Sequence, residues 1–120
     1  EPFGVERLCT AAGATYSARW TAAHPVQLQT AICEAIQHKG FSVVEVISQC
    51  PTGAGRNMYV TDQGYEIMDM FKKTYTPLRP GEEPDITNTS GSLGKFYGVH
   101  TPTFLDTMGA IYTERNLLGC

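Results

Sequence analysis

From Ala14 to Ser48 the chain reads as strand, helix, strand, and that order restricts the fold more than any other feature. Ala14–Trp20 (ATYSARW) is a strand-forming run. Pro25 then pre-sets the first turn of a helix, since its missing N–H is one of the donors a helix start leaves unpaired anyway. Leu28, Ile32, Ala35 and Ile36 share one helical face, while Gln27, Gln29, Glu34, Gln37 and His38 stay polar. Lys39 lies in the last turn, where its charge suits the dipole, and Gly40 ends the helix. Phe41–Ser48 (FSVVEVIS) is the best strand in the chain; its apolar residues do not alternate cleanly, which suits a parallel strand covered on both faces. This spacing predicts a right-handed parallel βαβ crossover, and so an α/β fold.

The flanks are simpler. Val5–Ala12 is a short helical segment closed by Gly13, the residue that most easily takes the left-handed conformation after a helix. Beyond Cys50, Pro51–Asn57 reads as a loop. Asp62 can cap a helix reaching roughly Tyr75, which must stop before Pro77. Tyr65, Met68, Met70, Phe71 and Tyr75 give that helix its bulk, as core or subunit interface rather than a cofactor box. Thr76–Ser92 is polar and aperiodic, a long surface loop or partner-wrapping arm. Leu93–Val99 is a short strand, and Thr103–Leu118 a final helix weakened by Gly109. There is no internal repeat.

Composition excludes several classes. The net charge is −3, so nothing suggests a basic face for nucleic acid or a polybasic membrane segment. The longest apolar run, Val43–Ser48, is broken by Glu45 and is far too short to span a bilayer. The chain opens Glu1-Pro2-Phe3 without a Met, as a piece cut from a longer polypeptide would. Cys9, Cys33, Cys50 and Cys120 form no CxxC pair or disulfide framework, which points to a reducing, cytoplasmic compartment. Cys9 and Cys33 sit among Ala and Ile as small hydrophobes; the role of Cys120 is unreadable.

Candidate chemistry centres on Cys50. A cysteine at a strand's carboxyl end, beside a Pro/Gly loop, sits where open α/β sheets place their sites. Spacing alone favours a small thiol ending a strand over a cluster ligand, because four-cysteine clusters normally announce themselves with close pairs. His24, ahead of Pro25, is read as a cap or hydrogen-bond donor before a general base. His38 is read as solvated, and His100 is unassignable. Glu45 inside an apolar strand needs a partner, such as a backbone amine or Arg19 on the neighbouring strand; a structural pair is favoured over a catalytic acid.

A longer set of residues carries a resemblance. Ala11-Ala12-Gly13-Ala14-Thr15-Tyr16 with Ala18-Arg19, His24-Pro25 with Gln27-Leu28, and His38-Lys39-Gly40-Phe41-Ser42 occur in order. They are followed by Glu45-Val46, Ser48-Gln49-Cys50-Pro51-Thr52 and Gly55-Arg56-Asn57. Together these blocks, covering about half the chain, resemble the β subunit of the 2-oxoacid:ferredoxin oxidoreductases, most of all the 2-oxoglutarate type. The resemblance implies residues 1–57 as the C-terminal βαβ portion of a thiamine-diphosphate-binding domain, with 58–120 a helix-containing, subunit-contacting C-terminal extension. It implies oxidative decarboxylation of a 2-oxoacid (2-oxoglutarate, with pyruvate the common alternative) to acyl-CoA, with electrons passing through iron–sulfur clusters to ferredoxin. Cys50 would be one iron ligand of a [4Fe–4S] cluster, and Arg56 would offset part of the cluster's negative charge.

The family's paired cluster cysteines and its Gly-Asp-Gly segment, which holds Mg2+ and the diphosphate, do not occur in this sequence. Gly4 stands where the family often has Asp, and Gly53-Ala54 replaces an aromatic residue common after Cys-Pro-Thr. The chain alone is therefore expected to carry no catalytic residue, to be inactive, and to bind neither thiamine diphosphate, Mg2+ nor a cluster. Its expected partners are an α subunit, an N-terminal β-subunit segment, ferredoxin, CoA and the 2-oxoacid, in a hetero-oligomer, with a homodimer of the piece as a further possibility. Two other readings stand beside this one: a non-catalytic docking module of the same fold, and a redox protein with Cys50 as nucleophile.

Overall fold

The computed structural model describes residues 4–59, 61, 63–79, 82 and 91–118, with the side chains of 54, 56, 58, 59 and 116–118 outside that description. Helix α1 (Val5–Ala11) leads to strand β1 (Tyr16–Thr21), helix α2 (Pro25–Gln37) and strand β2 (Ser42–Ile47). A π-helical segment follows over Pro51–Tyr59, then α3 (Gly64–Thr74), β3 (Thr76–Pro77), β4 (Ser92–Gly98) and α4 (Phe104–Leu118). The four strands make one mixed sheet in the order β2-β1-β4-β3.

The predicted crossover is present. β1 and β2 pair in parallel from Tyr16↔Ser42 to Thr21↔Ile47, joined by α2 with Pro25 in its first turn. β4 runs antiparallel on the other side of β1, with a register shift between Ser17 and Ala18. The junction after α1 forms as the sequence predicts. Gly13 takes φ 94°, its N–H donates to Thr10 O (3.0 Å), and Ala14 N–H donates to Cys9 O (2.9 Å). Two of the carbonyls that the helix end orphans, those of Cys9 and Thr10, are thus satisfied in a Schellman turn.

Burial departs from the expectation in two places. β2 is not covered on both faces: it is the edge strand, half-buried along its length, with Val46 exposed. The strand enclosed by neighbours is β1, where Tyr16, Ser17, Ala18, Arg19 and Thr21 are all buried. Helix α2 packs on only part of its expected face, through Ala35, together with Ala31, which that face did not include. Ala31 is buried, and Ala35 packs against the Tyr16–Ala18 cluster; Ile32 is 40% and Ile36 78% exposed. Small residues win this face because β1 offers the bulk, and the Tyr16 ring fills the space a large helical side chain would need.

Three further elements differ from the sequence reading. Pro51–Tyr59 is a wide helical turn, not a loop. Within the expected long loop, Thr76–Pro77 forms β3 and pairs in parallel with Ser92 and Leu93 of β4; residues 80, 81 and 83–90 of that stretch lie outside the described residues. The cap of α3 is Gln63, and Asp62 lies outside the described residues. Among the described residues no helix is long and apolar enough to cross a membrane.

Candidate functional site

Cys50 reaches the surface where β2 runs out. The last ladder contact there is Ala22 N–H to Ile47 O at 2.9 Å, and three residues later the chain turns into the π-helical segment. The turn closes on Cys50 itself, because Gly55 N–H donates to Cys50 O at 2.7 Å, an i→i+5 bond. Such turns are rare in proteins and concentrate at functional sites. Asn57 Nδ2 donates to Gly53 O at 3.2 Å and braces the same turn.

Two glycines make room for this geometry. A Cβ on Gly55 would lie 2.6 Å from Thr61 O and 3.2 Å from Cys50 O, so no other residue fits without moving backbone. A Cβ on Gly53 would stand 3.3 Å from Cys50 Sγ, so its absence leaves the sulfur open on that side. Cys50 is exposed, outside any disulfide among the described residues, with Thr52 Oγ1 3.9 Å from the sulfur. Helix α3 backs the turn: Ile67 Cδ1 lies 3.4 Å from the Gly55 Cβ position, and Ile67 and Phe71 are buried. Of the expected Met/aromatic set, Phe71 is core and stacks edge-on with Tyr75 at 5.8 Å, whereas Tyr65 is exposed.

Among the described residues no three His, Cys, Asp or Glu side chains come together. The Arg56 side chain lies outside the described residues, so its support of the loop stays an expectation.

The second cluster of ionisable groups lies under α1. Arg19 Nε meets Glu45 Oε2 at 2.5 Å, the structural pair expected from sequence, and Arg19 Nη2 meets Glu6 Oε1 at 2.5 Å. The guanidinium also lies 5.6 Å over the Phe96 ring. Burial first, then the neighbouring Glu45 carboxyl, raises the Glu6 carboxyl to about 7. Sequence reasoning missed Glu6: in VERLCTAA it reads as a solvated helical residue, and only the docking of α1 reveals it.

The histidines hold structure. His24 is the N-cap of α2, but its ring turns back, with Nδ1 2.8 Å from Thr21 Oγ1 and the ring tilted against Trp20. His38 is not solvated as expected. It is half-buried, with Nε2 2.9 Å from Thr15 Oγ1, and its ring contacts both Tyr16 and His100. The buried Tyr16 hydroxyl donates toward Ala31 O (3.2 Å) and Glu34 Oε2 (3.1 Å); burial and then the Glu34 charge keep this phenol protonated well above its ordinary range.

No protein-family model matches the chain. Individual proteins do. The 2-oxoglutarate synthase subunit KorB of Methanothermobacter marburgensis is 36% identical over 118 residues, covering 97% of this chain and 41% of that protein. The subunit of the same name from Methanocaldococcus jannaschii is 36% identical over 104 residues, covering 85% of this chain and 38% of that protein. In structure, the chain matches a 2-oxoglutarate:ferredoxin oxidoreductase from Magnetococcus marinus, solved with 2-oxoglutarate, coenzyme A and succinyl-CoA bound. The TM-score is 0.73 at 25% identity, over 99% of this chain and 40% of that one. The chain therefore spans about two fifths of the length of these relatives. Over that span, the chain belongs to the β-subunit family of the 2-oxoacid:ferredoxin oxidoreductases.

Proposed function

We propose that this chain is the C-terminal portion of the β subunit of a 2-oxoglutarate:ferredoxin oxidoreductase. Residues 1–57 supply the last βαβ of the thiamine-diphosphate domain together with the cluster loop, and 58–120 supply an extension that meets other subunits. The complete enzyme converts 2-oxoglutarate and CoA to succinyl-CoA and CO2, passing two electrons singly to ferredoxin. The substrate and CoA assignments rest on relatedness to proteins whose names carry them.

The observation that carries the reading is Cys50. Its sulfur is exposed at the carboxyl end of a parallel strand, on a turn closed by Gly55 N–H and left open by Gly53. A [4Fe–4S] cluster bound there would supply one-electron transfer. This chain's part would be to hold one iron through the Cys50 thiolate, with three further thiolates from outside the chain. Arg56, on the same loop, would support the cluster's charge. Thiamine diphosphate with Mg2+ would supply the electron sink for decarboxylation. Their diphosphate anchor must also come from elsewhere, since the sequence has no Gly-Asp-Gly. The partners that follow are the α subunit, the N-terminal β-subunit segment and ferredoxin, in the cytoplasm.

The test is turnover by the complete assembly containing this chain. Ferredoxin reduction that needs both 2-oxoglutarate and CoA, with succinyl-CoA formed and pyruvate a poor substitute, is the expected outcome. An assembly that prefers pyruvate would refute the substrate, and one inert to every 2-oxoacid would refute the enzyme.

A further inference from the structure

The two charged residues of α1 are treated in opposite ways: Arg7 is exposed, and Glu6 is only 3% exposed. A buried carboxylate is costly unless it is paired and hydrogen-bonded. Glu6 has a charge partner in Arg19, but Arg19 already serves Glu45, and neither Glu6 oxygen has a donor aligned for a hydrogen bond. Two carboxylates therefore compete for one guanidinium. If both ionise, the site keeps an uncompensated negative charge; if one keeps its proton, it can donate to the other.

Among the described residues the surroundings supply no second cation. On α1 itself, Arg7 is exposed against Gly4 and Cys9 is half-buried. β1 contributes Arg19 and β2 contributes Glu45. β4 contributes the Phe96 ring under the guanidinium, and Tyr97. Lys95 of β4 lies over the Tyr16 ring, 5.1 Å from its centroid, and Tyr16 faces the other side of β1 from Arg19. Glu6 also lines a cavity of about 580 Å3 between α1 and β4, with Arg7, Leu8, Thr10, Phe96 and Tyr97, which gives water a route to the carboxyl.

We propose that one proton held between the Glu6 and Glu45 carboxyls, beside Arg19, locks α1 onto the sheet, and that its loss on the alkaline side of neutrality loosens the helix. The proton satisfies the oxygens that otherwise lack a donor and removes the surplus charge. The raised ionisation of Glu6, caused first by burial and then by Glu45, is in keeping with this arrangement. The inference is independent of the role of Cys50, because it concerns α1, β1 and β2 alone.

The test is amide hydrogen exchange of the α1 peptide in the full chain, in whatever assembly it forms, at pH 6 and pH 8, corrected for intrinsic base catalysis. The wild type is expected to lose α1 protection by about tenfold at pH 8, while α2 keeps its own. Glu6→Gln, which imitates the protonated acid, should give equal α1 protection at both pH values. Unchanged protection in the wild type, or the same fall in Glu6→Gln, would overturn the proposal. Should that variant fail to fold, Glu45→Gln leaves Glu6 as the one carboxylate on Arg19, with no surplus negative charge for a proton to remove. The difference between the two pH values should then vanish, and its persistence would equally overturn the proposal.

Discussion

Arg19 and Glu45 are direct register partners on the parallel strands β1 and β2, with Nε 2.5 Å from Oε2. The same guanidinium reaches Glu6 on α1 and covers Phe96 on β4, so one side chain ties four elements together. Arg19 is 6% exposed, so these contacts are scarcely screened by solvent.

Removing that cation should be costly. Arg19→Met leaves the buried Glu6 and the half-buried Glu45 without their shared cation, and breaking a buried pair on one side costs about 3–5 kcal/mol. Urea unfolding at pH 8 should show a loss of that order, and a smaller one at pH 5, where a carboxyl can protonate instead. A loss below about 1 kcal/mol at pH 8, the size of a surface pair, would contradict the role given to Arg19.

The Glu6 carboxyl has a consequence for stability against pH. Its ionisation is raised from the ordinary 4.5 to about 7 in the folded chain. The folded state therefore holds a proton that the unfolded state has released between those values, so stability falls as pH rises there. The contribution is complete below 4.5 and is lost as pH passes through 7. Unfolding midpoints measured from pH 4.5 to 8 should decline in the wild type and be flatter in Glu6→Gln.

Much of this fold is legible in the sequence, for identifiable reasons. Pro25, the strand runs around it and Gly13 each carry local backbone rules, and the βαβ unit appears as those rules require. Glu45 announced a partner because an acid in an apolar strand must have one, and Arg19 was within reach on the neighbour. What stayed hidden depends on tertiary placement. The apolar run of β2 reads the same whether its strand is central or at an edge. The apolar face read for α2 includes Ala35, which does pack on the Tyr16 cluster, but it counts the exposed Ile32 and Ile36 and passes over the buried Ala31. No composition rule marks an i→i+5 turn, so the π-helical segment that shapes the Cys50 site read as a loop.

Gly55 tests that turn directly. Gly55→Ala would place a methyl 2.6 Å from Thr61 O and 3.2 Å from Cys50 O, and overpacking of this kind costs about 1–3 kcal/mol. The turn should loosen, and Cys50 should alkylate faster with iodoacetamide than in the wild type. Equal rates and equal stability would show that the turn does not need this glycine.

Tyr16 joins α2 to the sheet through its hydroxyl. Tyr16→Phe deletes the donor to Ala31 O and Glu34 Oε2 while leaving the ring in the core. A loss of about 1 kcal/mol is expected in urea unfolding. No loss, or a gain, would mean that the hydroxyl contributes nothing net to the packing of α2.

The claim that Cys50 holds iron is tested most directly by Cys50→Ser in the complete assembly, prepared without oxygen. Iron and acid-labile sulfide per assembly, with the visible absorbance and the paramagnetic signal of the reduced enzyme, are compared with the wild type. Loss of one cluster's iron and sulfide, or a cluster that bleaches rapidly in air, is the predicted result. A full complement of clusters with wild-type spectra and air stability would contradict the assignment.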